Sequence, residues 1–280
     1  MEGMTIVSLG EILWDIFPDH EELGGAPFNF AYHATRLGHR VLFVSAVGDD
    51  ERGRRALAQA SALGIDTSLV RTVNGVPTGC VEVHLDAARQ PSFTLQRPAA
   101  YDLLSLTDSE LDRIVAAEPI WICFGTLAFV VPEALETLQR LLAACPRARR
   151  FYDVNLRKDN WSEKLVSKLM PLADAVKLNE SEAAELGMLL LQSRAATVCI
   201  TRAERGCSIN QLDVPGYPVD VVDAVGAGDS FSAAYLHGLA AGWPPAEVAD
   251  FANRVGGLVA SRRGGTPIWS PEEARALVRR

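Results

Sequence analysis

Asp223-Ala-Val-Gly-Ala-Gly-Asp-Ser-Phe231 places a small-residue turn, a carboxylate and the start of a helix within nine residues. The residues before it, Tyr217 to Val222, read as a short strand. Those after it, Ser230 to Ala241, carry Phe231, Tyr235 and Leu239 four apart on one helical face. Gly226 and Gly228 lack a Cβ, so the backbone is free to turn sharply and to approach a ligand. The N–H groups of Gly226, Ala227 and Gly228 then point from a first helical turn, where the helix dipole also favours an anion. Asp229 stands in that same turn. It is either a helix stabiliser or, beside a bound phosphoryl group, a proton acceptor.

Working outward, short apolar runs alternate with helical patterns. Strands are predicted at 5–9, 41–47, 119–124, 150–155, 174–178 and 197–201, and helices at about 28–37, 51–63, 107–117, 132–144, 162–170 and 181–187. Near-continuous apolar strands separated by helices predict a three-layer α/β/α sandwich with a mostly parallel sheet, in one domain spanning 1–280. Two stretches break the rhythm. Val81, Val83 and Leu85 alternate with Glu82, His84 and Asp86; after a turn at Ala87–Pro91, Phe93 and Leu95 alternate with Ser92, Thr94 and Gln96. With the irregular stretch after the first strand, this hairpin predicts a small β-sheet lid made from about 11–24 and 71–100.

Composition excludes several classes. A net charge of −8 without a basic block argues against nucleic acid. No apolar run reaches a membrane-spanning length, the N-terminus lacks a signal-peptide layout, and the expected setting is the cytoplasm. Five cysteines without a CxxC pair suggest neither a disulfide framework nor a zinc site. No GxGxxG follows the first strand, which disfavours a dinucleotide-binding dehydrogenase.

Ligands on parallel sheets bind beyond the carboxyl ends of the strands. After the first strand come Asp15 and then Gly24-Gly25-Ala-Pro-Phe-Asn29. A bare backbone flanked by polar side chains suits a polyhydroxylated molecule, or is simply a turn that starts a helix. Arg157 follows the strand at 150–155, as an anion or hydroxyl ligand or as a surface ion-pair partner. Asn179-Glu-Ser-Glu182 reads as a capping box, and the same acid suits a hydrated magnesium ion. Thr201-Arg-Ala-Glu-Arg-Gly206 offers a hydroxyl, cations and a glycine to a nucleotide phosphate.

In this order these residues resemble the ribokinase-like (PfkB) family of carbohydrate kinases over essentially the whole chain. The resemblance implies ATP-dependent phosphorylation of a sugar, with Asp229 as general base and Gly226, Ala227 and Gly228 as the anion hole. It implies sugar contacts at Asp15, Gly24, Gly25, Asn29, Phe93 and Arg157. It also implies ATP contacts at Asn179, Thr201, Gly206, Gly226, Gly228 and Asn253, and magnesium near Glu182 through water. Asp223 and the carbonyl of Val225 match a monovalent-cation site, implying potassium. The segments 11–18 and 23–33 are most similar to bacterial fructokinases, implying fructose as substrate and a homodimer through the lid. Kinases of the same fold for 2-keto-3-deoxygluconate, ribose or a nucleoside, and a non-catalytic sugar sensor, are the alternatives. Two departures touch the ATP half: Ala203 stands where the family usually has glycine, and the regions around 187–196 and 207–217 are short.

Overall fold

The computed structural model describes residues 3–85, 91–190 and 193–279, with the backbone alone for His84, Leu85 and 91–93. The first half of the chain runs β1 (Thr5–Leu9), β2 (Leu13–Ile16), β3 (Glu21–Gly24), α1 (Ala26–Arg36), β4 (Arg40–Gly48), α2 (Glu51–Ala62), β5 (Val70–Val73), β6 (Gly79–Leu85), β7 (Pro91–Leu95), α3 (Asp108–Ala116), β8 (Trp121–Phe124) and α4 (Pro132–Ala144). It continues with β9 (Arg149–Asp153), α5 (Glu163–Leu169), β10 (Ala175–Asn179), α6 (Glu180–Glu185), α7 (Gly187–Leu190), β11 (Thr197–Thr201), β12 (Cys207–Ile209), β13 (Leu212–Val214), α8 (Ala227–Ala240), α9 (Pro245–Ala260) and α10 (Pro271–Ala276).

Nine strands form one sheet in the order β13-β12-β11-β10-β9-β8-β1-β4-β5, parallel except for β12 and β13. The central strands β1, β4, β8 and β10 are mostly apolar on both faces because both are covered. Ile6, Phe43, Trp121, Phe151 and Cys199 point into a core shared with α1, α2, α8 and α9. Their neighbours Val7, Leu42, Ile122, Tyr152 and Val176 point the opposite way, into a core with α3, α4 and α5. This is the expected three-layer sandwich. All five cysteines are free and buried, and among the described residues no helix is long and apolar enough to cross a membrane.

A second sheet, ordered β3-β2-β6-β7, covers the carboxyl-end side of β1. Its roots are tied to the body. The Asp50 carboxylate caps α2 by accepting from Gly53 N–H at 2.7 Å, and also accepts from the backbone N–H and hydroxyl of Thr78, just before β6, at 2.8 and 2.7 Å.

Three expectations need correction. Residues 70–73 pair with β4 in the large sheet, so the small sheet starts later than 71. The alternation at 81–83 is present, but Val81 packs with Leu95 against the chain's own core and Val83 is buried, so this apolar face needs no partner to cover it. The turn at 87–90 lies outside the described residues. Finally, Tyr217–Val222 is no strand. The N–H groups of Val222 and Asp223 both donate to Ala260 O, at 2.9 and 3.1 Å, and so satisfy an orphan carbonyl at the end of α9.

Candidate active site

Gly226 is the N-cap of α8 and has φ +75°, a left-handed conformation that suits glycine. A Cβ there would lie 2.4 Å from Gly265 O, so two backbones meet with no room for a side chain. The Ala227 N–H donates to Ala224 O at 3.3 Å and the Ser230 N–H to Gly226 O at 2.8 Å. Ala227 therefore turns its amide into the loop, unlike the expectation of three free donors. The Gly228 amide lies in the first turn of α8, where helical geometry provides no acceptor four residues back.

Asp229 follows in that turn and is buried. Asn29, on α1, donates its Nδ2–H to Asp229 Oδ2 at 2.8 Å. Burial pushes the Asp229 carboxyl up to about 6, helped by the charge of Asp153 and opposed by the Asn29 hydrogen bond, Lys177 and Arg157. The other amide atom, Asn29 Oδ1, is buried without a partner. A buried acceptor left unmatched is costly, which makes it a waiting partner for a ligand hydroxyl.

Beneath the turn is a group that sequence reading missed. Lys177 Nζ donates to both oxygens of Asp153, at 3.0 and 3.1 Å, and Ser232 Oγ donates to Asp153 Oδ2 at 2.7 Å. A Cβ on Gly228 would sit 3.3 Å from the ammonium. Burial alone would lower the Lys177 pKa, but Asp153, Glu182 and Asp229 offset this and hold it above the ordinary lysine value. The signal was present in the sequence, since a lysine inside the apolar run of β10 is rarely buried unless paired.

The opposite wall comes from β1, the lid and α1. Gly25 has φ +110° and a Cβ there would strike Glu11 O at 2.6 Å; one on Gly24 would meet Asp15 Oδ2 at 2.8 Å. Burial raises Asp15 to about 6 against the pull of Arg157. Glu11, a second missed residue, is buried and raised to about 7 chiefly by desolvation. It accepts from Ala26 N–H at 3.3 Å. Arg157 is exposed at this edge, and its charge lowers the pKa of Glu11, Asp15 and Asp229. A narrow cleft lined by Glu11, Pro27, Thr126, Asp153 and Asn155 has an interior of about 20 Å³, room for one water. The Phe93 side chain lies outside the described residues.

The remaining expected positions spread toward β11. Asn179 and Glu182 form a reciprocal capping box, and Glu182 also accepts from Leu156 N–H at 2.8 Å. Both its oxygens thus hold amides, with lone pairs to spare. Thr201 ends β11; its hydroxyl lies 3.4 Å from Leu178 O. Gly206 has φ +87°, and a Cβ would be 2.2 Å from Val214 O. Asn253 donates to Val214 O and Pro215 O at 3.3 and 3.2 Å. Ala203 adopts φ +50°, which explains why glycine suits that position better. Asp223 accepts from Val225 N–H and Gly264 N–H, both at 3.0 Å. No cluster of three or more metal-ligating side chains occurs among the described residues.

The chain is similar to known proteins in sequence and in fold. The family model described as pfkB family carbohydrate kinase matches residues 18–272. A putative sugar kinase of Pyrococcus horikoshii is 30% identical over 98% of this chain and 94% of its own length. A fructokinase of Klebsiella pneumoniae is 31% identical over 87% of each. The solved structure of the Pyrococcus horikoshii protein in complex with ATP superposes with a TM-score of 0.85 at 29% identity, covering 98% of this chain and 100% of that one. The 2-dehydro-3-deoxygluconokinase of Thermotoga maritima shares the fold, with a TM-score of 0.84 at 21% identity over 98% and 99% of the two chains. With the family model spanning 18–272 and these matches in agreement, the chain belongs to the pfkB family of carbohydrate kinases and is a sugar kinase of that family.

Proposed function

We propose that the chain transfers the γ-phosphoryl group of ATP to a sugar hydroxyl, with fructose converted to fructose 6-phosphate. The observation that carries this reading is the buried Asp229 carboxylate, held by Asn29 in the first turn of α8. At neutral pH a carboxyl with a pKa of about 6 is ionised yet basic enough to accept a proton. The sugar hydroxyl gives its proton to Asp229 as its oxygen bonds to the γ-phosphorus, and the bond to the ADP oxygen breaks. The Gly228 amide and the Gly226–Gly228 turn stabilise the charge on the transferring group. Asn29 Oδ1 and Asp15 accept sugar hydroxyls, and Arg157 closes that side.

On this reading ATP lies toward β11, near Thr201 and Asn179, while Gly206 and Asn253 shape the 214–216 backbone behind them. The exposed Gly228 in the first turn of α8 is a feature a polyphosphate uses. Glu182, with lone pairs left on both oxygens, would hold a hydrated magnesium ion through its waters, and that ion would supply charge neutralisation for the phosphates of ATP. Asp223 and the Val225 carbonyl suit potassium, to be tested by potassium titration at fixed magnesium. A homodimer through the lid and a cytoplasmic setting complete the reading. The dimer rests on family resemblance alone, and light scattering at micromolar concentration decides it.

An ADP-release assay over fructose, 2-keto-3-deoxygluconate, ribose and nucleosides tests the proposal. Fructose should give the highest kcat/KM. A higher value for another acceptor reassigns the substrate, and no turnover with any would favour a non-catalytic role.

A further inference from the structure

We propose that His33 and Trp269 form a positioning pair that locks the Gly265 carbonyl against the Gly226 turn, so that α1 sets the base and the anion-binding turn together. The inference rests on the reading of Asp229 as the base, and it concerns residues that no part of that reading uses.

Both side chains are completely buried. Trp269 donates its Nε1–H to His33 Nδ1 at 2.9 Å, and His33 Nε2 lies 2.9 Å from Gly265 O. Indole nitrogen is a donor only, so Nδ1 accepts and Nε2 carries the proton it gives to the carbonyl. One tautomer of a neutral imidazole satisfies both bonds, and burial keeps it neutral.

What the carbonyl touches gives the pair its role. A Cβ on Gly226 would lie 2.4 Å from Gly265 O and 2.6 Å from Gly265 Cα. A Cβ on Gly265 would lie 2.9 Å from Asn29 Nδ2, the group that donates to Asp229. Gly265 is therefore wedged between the anion-binding turn and the partner of the base, with no side chain to absorb a shift. Asn29 and His33 are four apart on α1 and share one face. Nearby, Tyr32 Oη donates to Pro267 O at 2.8 Å and Arg36 Nε to Trp269 O at 3.0 Å. Successive turns of one helix thus grip the base and the 265–269 segment. If Gly265 moved outward by an ångström, the Gly226 turn and Asn29 would lose their shared stop, a displacement that costs on the order of 100-fold in rate.

The test uses purified His33→Phe, His33→Gln and Asp229→Asn proteins in the ADP-release assay. His33→Phe should lower kcat by about 10–100-fold while leaving the sugar and ATP KM within about threefold. Glutamine carries both an acceptor and a donor, so His33→Gln should recover most of that loss. A folded His33→Phe enzyme with kcat near wild type, or with its loss in KM alone, overturns the proposal, as does a His33→Gln enzyme no better than His33→Phe. Nitrogen NMR of the wild-type protein keeps the question open to refutation even if the variants do not fold. An unprotonated Nδ1 and protonated Nε2 at His33 are expected, and the reverse tautomer sinks the pair. If Asp229→Asn keeps its rate, the assignment of the base fails; if it is inactive while His33→Phe is unaffected, only the positioning role fails.

Discussion

Asn29 and Asp229 stand 200 positions apart, yet the carboxamide of one donates to the carboxylate of the other at 2.8 Å. The bond joins the first helix to the last third of the chain. It also sets two properties of Asp229, because it orients the carboxylate and stabilises its charged form.

Asp229→Asn should cut kcat by about 10²–10⁴-fold with little change in sugar affinity. A variant keeping more than about a tenth of the wild-type rate would show that the base lies elsewhere. The same substitution should stabilise the fold at high pH. The folded pKa of about 6 exceeds the ordinary 3.8, so the native state holds the proton more tightly and stability is lost as pH rises through about 4 to 6. Above that window the ionised carboxylate costs on the order of 3 kcal/mol. The melting temperature of Asp229→Asn should therefore exceed wild type at pH 8 and converge with it near pH 4; a constant offset would contradict the burial argument.

The wild-type kcat/KM should rise with pH through about 6 as Asp229 ionises. Asn29→Ala removes a hydrogen bond that lowers this pKa, so its acid limb should move to higher pH. Profiles that superimpose after scaling would mean that Asn29 does not tune the carboxylate.

Gly226→Ala should both destabilise and inactivate. An alanine at φ +75° costs about 1–2 kcal/mol, and its methyl would also press on the Gly265 backbone. Chemical denaturation gives the direct measure, and an unchanged midpoint would show that the segment at 265 yields freely.

Asp15→Ala should raise the sugar KM by the equivalent of about 1–3 kcal/mol and leave the ATP KM almost unchanged, since it strands donors of the sugar. Equal changes in both would assign Asp15 to the fold.

Much of the architecture was legible because parallel strands buried on both faces leave apolar runs, and α4 was read at its observed ends, 132–144. The failure at Tyr217–Val222 is instructive. Its residues favour strands, but they pair with no strand, and the N–H groups of Val222 and Asp223 go instead to the end of α9. Val221 and Val222 stay exposed, while Tyr217 packs under the guanidinium groups of Arg254 and Arg279. The β12–β13 hairpin was missed since its strands have three residues each and its turn is Asn210-Gln211, both with positive φ, rather than Asn-Gly. Within the site, Asp229, Asn29 and the glycines announced themselves by local pattern. Asp153 and His33 did not, and Lys177 showed only as a charge within an apolar strand, because their partners come from other strands and helices and only the fold brings them together.

The Asp50 carboxylate, which caps α2 and clasps Thr78, has a consequence for how such a chain changes over generations. It fixes the foot of β6 to the body, so the outermost strand β7 hangs from a set root, while β3 on the other edge is tied to α2 by Glu21 and Arg52 at 2.7 Å. Asp15 rides on β2, paired on both sides inside the small sheet, whereas Asp229 and its helix belong to the body. A graft meant to exchange the acceptor while keeping the chemistry would therefore have to carry β2 with β6 and leave Asn29, which holds the base, in place.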